Sequence, residues 1–145
     1  MLVSNILKAK GDMVITVLQT APLFAVAKTL ADERIGALVV VDAAGDLVGV
    51  VSEREVVQTL ARSGAGALNR QVSDVMVAAA TVGPQETVRH AMSVMTERRA
   101  RHLPVVEDGR VIGLLSIGDV IKSRLSEKEV ENQVLQDIAR WPHAA

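Results

Sequence analysis

Two segments of this chain place a hydroxyl and a carboxylate three residues apart directly after an apolar stretch: Ser116 with Asp119, and Ser52 with Glu55. A carboxylate so placed can accept charge-assisted hydrogen bonds from both hydroxyls of a ribose diol, each worth roughly 1.5–3 kcal/mol. The serine hydroxyl and the free N–H groups of a helix start suit a phosphate, because a helix N-terminus carries unpaired donors and partial positive charge. The same Ser-x-x-Asp/Glu spacing is also the signature of a capping box, in which the two side chains only close a helix turn on itself. On spacing alone both readings stand. Gly118 lets a ligand come close to the second helix start. Arg54 beside Glu55 adds a cation, as do Arg101 and His102 ahead of the strand leading to Ser116.

Other chemistries lack their residues. The chain has no cysteine, no Gly-x-Gly-x-x-Gly, no Gly-x-x-x-x-Gly-Lys-Ser/Thr loop and no Gly-x-Ser-x-Gly elbow, and no histidine base can be assigned to either serine. A binding module rather than an enzyme is expected, with no catalytic residue. His90, His102 and His143 show no ligand spacing, so no metal is expected. A net charge of −1 predicts neither nucleic-acid nor membrane binding. The absence of cysteine suits a reducing cytoplasm. Met1–Lys8 holds a charge and an asparagine and no sustained apolar run, so it predicts neither a signal peptide nor a membrane span.

The elements that must position these groups occur twice. Leu103–Val106 and Val111–Leu115 flank an Asp108-Gly109 pair, a strong hairpin signal. Leu38–Val41 and Leu47–Val51 repeat that hairpin, at an offset of 65 residues before the turn and 64 after it. Val40 and Val105, Gly49 and Gly113, Ser52 and Ser116, and Val56 and Val120 are identical pairs. Upstream, Thr16-Val17 matches Thr81-Val82, and Val3-Ser4-Asn5-Ile6-Leu7 resembles Val72-Ser73-Asp74-Val75-Met76. These last two predict short helical lead-ins capped by Ser4 and Ser73. The chain is two copies of one unit. A lone unit of about sixty residues is marginal, so the copies are expected to share a core. With 49% hydrophobic residues, one Phe, one Trp and no Tyr, that core is aliphatic.

Each copy reads as β-α-β-β-α, an α/β (α+β) pattern. Met13–Val17 predicts a first strand, preceded in copy one by a loop insert through Lys8–Asp12, and Thr20-Ala21-Pro22 opens a helix. Leu23, Val26, Ala27 and Leu30 in copy one, and Val88, Ala91, Met92 and Met95 in copy two, fall at helical spacing and predict buried faces. Val56, Val57 and Leu60, then Val120, Ile121 and Leu125, mark the second helix of each copy. Arg62–Ala67 is a glycine-rich connector. Residues 1–66 and 67–125 form the two repeats and 126–145 a helical tail, with Ser126 and Glu129 as its capping box. Val130, Val134, Leu135, Ile138 and Trp141 form the tail's apolar stripe, and Pro142 ends it. The stripe packs either on its own subunit or against a second one.

The repeated apolar strand, the turn glycine, Gly49-Val-Val-Ser52 with Glu55, Gly113-Leu-Leu-Ser116 with Asp119, Val72-Ser-Asp-Val-Met76 and Arg101-His-Leu-Pro-Val105 together resemble the CBS domain. This is the module named after cystathionine β-synthase, present here as a tandem pair over nearly the whole chain. The resemblance implies two pseudo-twofold-related repeats whose sheets meet in two clefts for adenine nucleotides such as AMP, ADP, ATP, NAD or S-adenosylmethionine. It also implies a stand-alone, bacterial-type signalling module that senses energy or redox state, forms a homodimer and acts on an effector protein that the sequence does not identify. The resemblance carries phosphate and ribose contacts onto Ser116 and Asp119, and onto Ser52 and Glu55. It assigns ligand-facing positions to Gly36 and Ala37 and to Arg101 and His102. Thr16 and Thr81, at the first strand of each copy, complete the candidate set with Arg54. Glu55 departs from the family's Asp by one methylene, so Asp119 is expected to be the better ribose partner. A structural dimer with vestigial or permanently occupied clefts is the alternative.

Overall fold

The computed structural model describes residues 1–11 and 13–140. In chain order these form α1 (Val3–Lys10), β1 (Thr16–Leu18), α2 (Leu23–Glu33), β2 (Ala37–Val41), β3 (Leu47–Ser52) and α3 (Glu53–Ser63). Short 3-10 turns at Gly64–Asn69 and Val72–Asp74 lead into α4 (Val88–Arg98), β4 (His102–Glu107), β5 (Arg110–Ser116) and α5 (Ile117–Arg140). β1 runs parallel to β2, which pairs antiparallel with β3; β4 and β5 form the second hairpin. The second hairpin turns on Asp108 and Gly109, both at positive φ (51° and 77°), the backbone of a two-residue turn that matches strand twist. The first copy's longer turn is held by Asp42, whose carboxylate accepts from the N–H groups of Ala44 and Asp46 at 3.0 and 2.9 Å.

The repeat is confirmed as β-α-β-β-α, with one asymmetry. β1 is shorter than the expected Met13–Val17, and its counterpart in the second copy is a single parallel bridge between Val82 and Val105. Pro84, two residues on, has no N–H with which to extend a ladder.

Each copy has its own aliphatic core. α2 buries Leu23, Val26 and Leu30 against Leu38, Val40 and Val51, and α4 buries Val88, Ala91 and Met95 against Leu103, Val105 and Leu115. The lead-ins do not stay with the copies they precede. Val3, Ile6 and Leu7 of α1 belong to the core of the second copy, whereas Val72, Val75 and Met76 pack into that of the first. The exchange is reciprocal in its backbone bonds: Val3 N–H donates to Glu86 and Ser4 N–H to Pro84, both at 2.9 Å, while Val72 donates to Ala21 and Ser73 to Gln19, also at 2.9 Å. The copies thus keep separate cores rather than the single shared one expected, and each core is completed by the lead-in of the other copy.

That packing explains the paired glycines. A Cβ on Gly113 would lie 2.6 Å from Leu7 Cδ2, and one on Gly49 would lie 2.8 Å from the Val77 carbonyl and 2.9 Å from Met76 Sδ. Leu7 and Met76 occupy matching places over the two hairpins, and only glycine leaves them room.

Several local expectations are corrected. Ser4 and Ser73 lie inside their helical turns rather than capping them, and at the start of α1 it is Asn5 Oδ1 that accepts from Leu2 N–H, at 2.8 Å. The predicted loop insert is helical as far as Lys10, with Gly11 ending α1 at φ 96°, and Asp12 lies outside the described residues. Pro22 rather than Thr20 stands at the start of α2. The glycine-rich connector is a 3-10 turn with Ala67 fully buried. Ser126 starts no helix. α5 runs unbroken through it, because a helix already nucleated at Ile117 supplies i−4 carbonyls to every following N–H.

Met92, expected in a buried face, is exposed, as are Val57 and Leu60 of α3 and Ile121, Leu125, Val130, Val134, Leu135 and Ile138 of α5. Trp141, Pro142 and His143 lie outside the described residues. Among the described residues no helix is long and apolar enough to cross a membrane.

Candidate functional site

Each hairpin delivers its serine to a helix start by the same backbone geometry. Ala37 pairs with Ser52 across the first hairpin and His102 with Ser116 across the second. The first N–H of α3, on Glu53, donates to the Gly36 carbonyl at 3.0 Å, and that of α5, on Ile117, to the Arg101 carbonyl at 2.8 Å. Gly36 and Arg101, Ala37 and His102, Ser52 and Ser116, and Glu55 and Asp119 are therefore pseudo-twofold equivalents.

Both acids take part in caps. Asp119 Oδ2 accepts from Ser116 N–H at 2.9 Å, and Ser116 Oγ accepts from Asp119 N–H at 3.0 Å, a complete capping box. In the first copy Glu55 Oε2 accepts from Ser52 N–H at 2.7 Å and also from the Ser52 hydroxyl. In each case only one carboxylate oxygen is bonded within the described residues. Oε1 of Glu55 and Oδ1 of Asp119 are the unbonded ones.

A cleft of about 1270 Å³ opens between the copies. From the first copy it takes Gly36, Ser52, Arg54 and Glu55; from the second it takes Thr81, Arg101, His102 and Ser116. Eight of the sequence-derived candidates therefore share one space. Three do not line it. Ala37 is 2% exposed within β2, so its side chain is spent on the core. Thr16 lies exposed on β1, away from the cleft. Asp119, expected to be the better ribose partner, is absent from the lining, and its carboxylate meets Lys10 instead.

Sequence reading missed Arg98, Arg99 and the small run Val77–Ala80, all of which line the cleft. Arg99 ends α4 in a left-handed conformation (φ 51°), and its equivalent Arg34 ends α2 in the same way (φ 54°). An arginine repeated at a place where helices usually take glycine was the legible signal.

His102 sits against the open face of Gly36, where a Cβ would stand 3.4 Å from His102 Nε2. Burial lowers its pKa below the ordinary histidine value and the nearby Lys10 lowers it further, against the opposing pull of Glu55, Asp119 and Glu53. The neutral imidazole is thus favoured in the folded chain. His90, by contrast, pairs with Glu86 at 3.0 Å on an exposed helix face. Among the described residues no cluster of histidine and carboxylate side chains can hold a metal ion.

Asp119 Oδ2 accepts from Lys10 Nζ at 2.7 Å, and the same ammonium donates to the Leu114 carbonyl at 2.7 Å. Burial by itself pushes the Asp119 carboxyl up, but the hydrogen bonds from Lys10 and Ser116 outweigh it and hold the group below the usual carboxylate range. Sequence reading placed Lys10 in a loop insert and gave it no role. The helical continuation of α1 is what carries it to Asp119.

The family model of the CBS domain matches residues 11–62 and again 72–126. The chain belongs to the CBS-domain family. Among solved structures, the CBS domain pair resembles a CBS-domain-containing protein of Agrobacterium tumefaciens, at 40% identity and a TM-score of 0.81, over 85% of this chain and 92% of that one. A CBS domain protein of Pyrobaculum aerophilum, complexed with AMP, is 28% identical with a TM-score of 0.75, over 82% of this chain and 89% of that one. A CBS domain pair in complex with 5′-methylthioadenosine and S-adenosyl-L-methionine is 27% identical with a TM-score of 0.76, over 89% and 98% of the two chains. The twofold repeat in this CBS pair is thus the family's own.

Proposed function

We propose that this CBS pair is a non-catalytic regulatory module that binds an adenosine nucleotide in the cleft beside Glu55. The observation that carries the reading is the composition of that cleft. Ser52 and Glu55 at the start of α3, apolar Val50, Val77 and Val94, and the cations Arg54, Arg98, Arg99 and Arg101 meet in one space with ample room for a nucleotide. The apolar walls suit an adenine ring, and the unbonded oxygen of Glu55 suits a ribose hydroxyl. The arginines suit phosphate, which their forked donors bind in bidentate geometry. The likeness to pairs complexed with AMP, or with 5′-methylthioadenosine and S-adenosyl-L-methionine, supports an adenosine ligand of this kind.

The arginines favour AMP, NAD or ATP over a ligand without phosphate. Because the cleft draws on both copies, occupancy biases their relative geometry, and through it the surface offered to an effector protein in the cytoplasm. A second copy of the chain, packed on the exposed apolar residues of α3 and α5, completes this reading. A purely structural homodimer is the alternative that those same exposed residues support.

A thermal-shift panel of AMP, ATP, NAD and S-adenosylmethionine tests the proposal. A ligand at a hundred times its dissociation constant should stabilise the chain by about 2.7 kcal/mol. Mass spectrometry of small molecules released from the purified protein checks for a resident nucleotide. No shift with any of the four, and no adenosine compound released, would leave the structural dimer as the better account.

A further inference from the structure

The pseudo-twofold is broken at one place that decides which of the two equivalent sites is open. The lead-ins match as far as Leu7 and Met76; beyond them α1 continues as a helix to Lys10, within the insert that the second copy lacks, whereas Val77 turns away to bridge Val50. Ala79 lines the open cleft beside Glu55. Beside Asp119, the Lys10 ammonium stands 2.7 Å from the carboxylate and 2.7 Å from the Leu114 carbonyl. Lys10 is held there by more than its charge: Val3, Ile6 and Leu7 anchor α1 in the core of the second copy, and Gly113 admits Leu7.

We infer that Lys10 is a built-in plug of the Asp119 site: its ammonium takes the place of a ribose diol, so that the native chain accepts one adenosine nucleotide where its fold provides for two. The inference rests on the nucleotide reading of the Glu55 cleft for the number of ligands, but not for the plug itself. The ammonium holds Oδ2 and cancels the negative charge of the carboxylate, the charge that would strengthen its hydrogen bonds to a diol. The ammonium belongs to the chain and is already positioned, so it meets no association cost, whereas a ligand must meet that cost and displace a charge-assisted bond as well.

Substitutions at the Lys10–Asp119 pair test this, with AMP as the probe and calorimetry counting the molecules bound per chain. Lys10→Ala, which removes the ammonium, should bind one AMP more than the native chain. The added site should vanish in Lys10→Ala/Asp119→Ala. Lys10 is partly exposed at the end of α1, so Lys10→Ala should keep the native circular dichroism spectrum. Equal AMP counts for Lys10→Ala and the native chain would overturn the inference, as would two AMP bound to the native chain. A native chain that binds none beside a Lys10→Ala variant that binds one would uphold the plug and refute the Glu55 cleft as the nucleotide site.

Discussion

Glu55 and Asp119 are equivalent by sequence position, yet the structure gives them different work. Glu55 keeps an oxygen open to the cleft, so Glu55→Gln, which preserves an accepting oxygen for the cap but removes the charge, should weaken AMP binding by about tenfold, or 1.4 kcal/mol. Its effect on stability should stay within about 1 kcal/mol, the usual range for a helix cap. Asp119→Ala in the native chain should leave AMP affinity unchanged, and calorimetry on the two variants side by side checks the contrast. The Asp119 carboxyl is held low in the folded chain, so its stabilising effect is complete above the unfolded value near pH ~4 and is lost as pH falls through the folded value. His102 adds a second pH effect. Its folded pKa is depressed, so the stability that its neutral ring confers is full above pH ~6.5 and declines as pH falls toward the folded value. A His102→Gln variant should show a flatter melting temperature than the native chain below pH ~6.5, and an unaltered slope would rule out this role.

At the level of elements, the exchanged lead-ins make the strand glycines a structural requirement. Gly113→Ala drives a methyl into Leu7, a buried side chain whose end can be trimmed, so it should cost about 1–3 kcal/mol, in the range of core overpacking. Leu7→Ala made on top of it should recover part of that loss, a coupling that a double-mutant cycle measures. Gly49→Ala meets the Val77 carbonyl as well as Met76. That carbonyl is fixed, since Val77 and Val50 exchange backbone bonds at 2.9 and 3.0 Å. Gly49→Ala should therefore destabilise more than Gly113→Ala, and Met76→Ala should not rescue it. Equal costs, both relieved by trimming the side chain opposite, would show that the backbone contact is immaterial.

For the whole molecule, the apolar residues that failed to find a core point outward together. Val57 is 64% exposed on α3, and Ile121 and Leu125 are 53% and 60% exposed on the pseudo-equivalent helix α5. Because the two helices follow equivalent hairpins, their exposed faces suit an isologous contact between two copies around a twofold axis. Light scattering at micromolar concentration should give a dimer mass for the native chain and a monomer mass for Ile121→Glu/Leu125→Glu. Far-UV circular dichroism of that variant should match the native spectrum, since neither side chain belongs to a core. A native chain that runs as a monomer would refute the contact.

By itself the sequence determined whatever depends on neighbours along the chain. The Asp108-Gly109 pair specified its turn, the alternation of valines and leucines specified two hairpins, and the spacing of Leu23, Val26 and Leu30 specified the buried face of α2. Repetition of these signals disclosed the pair, and with it the serine and acid at each helix start. Only the tertiary structure decided how the copies complete each other. Periodicity marks Leu7 and Met76 as apolar without saying which core will take them, and a lysine in a short insert carries no sign of its partner more than a hundred residues away. The relative standing of the two acids followed from that crossing. A one-methylene difference between Glu and Asp is visible in the chain and argued for Asp119. The ammonium that α1 brings across to Asp119 is a contact in space, and neither the neighbours of Asp119 along the chain nor its helix-start spacing announces it.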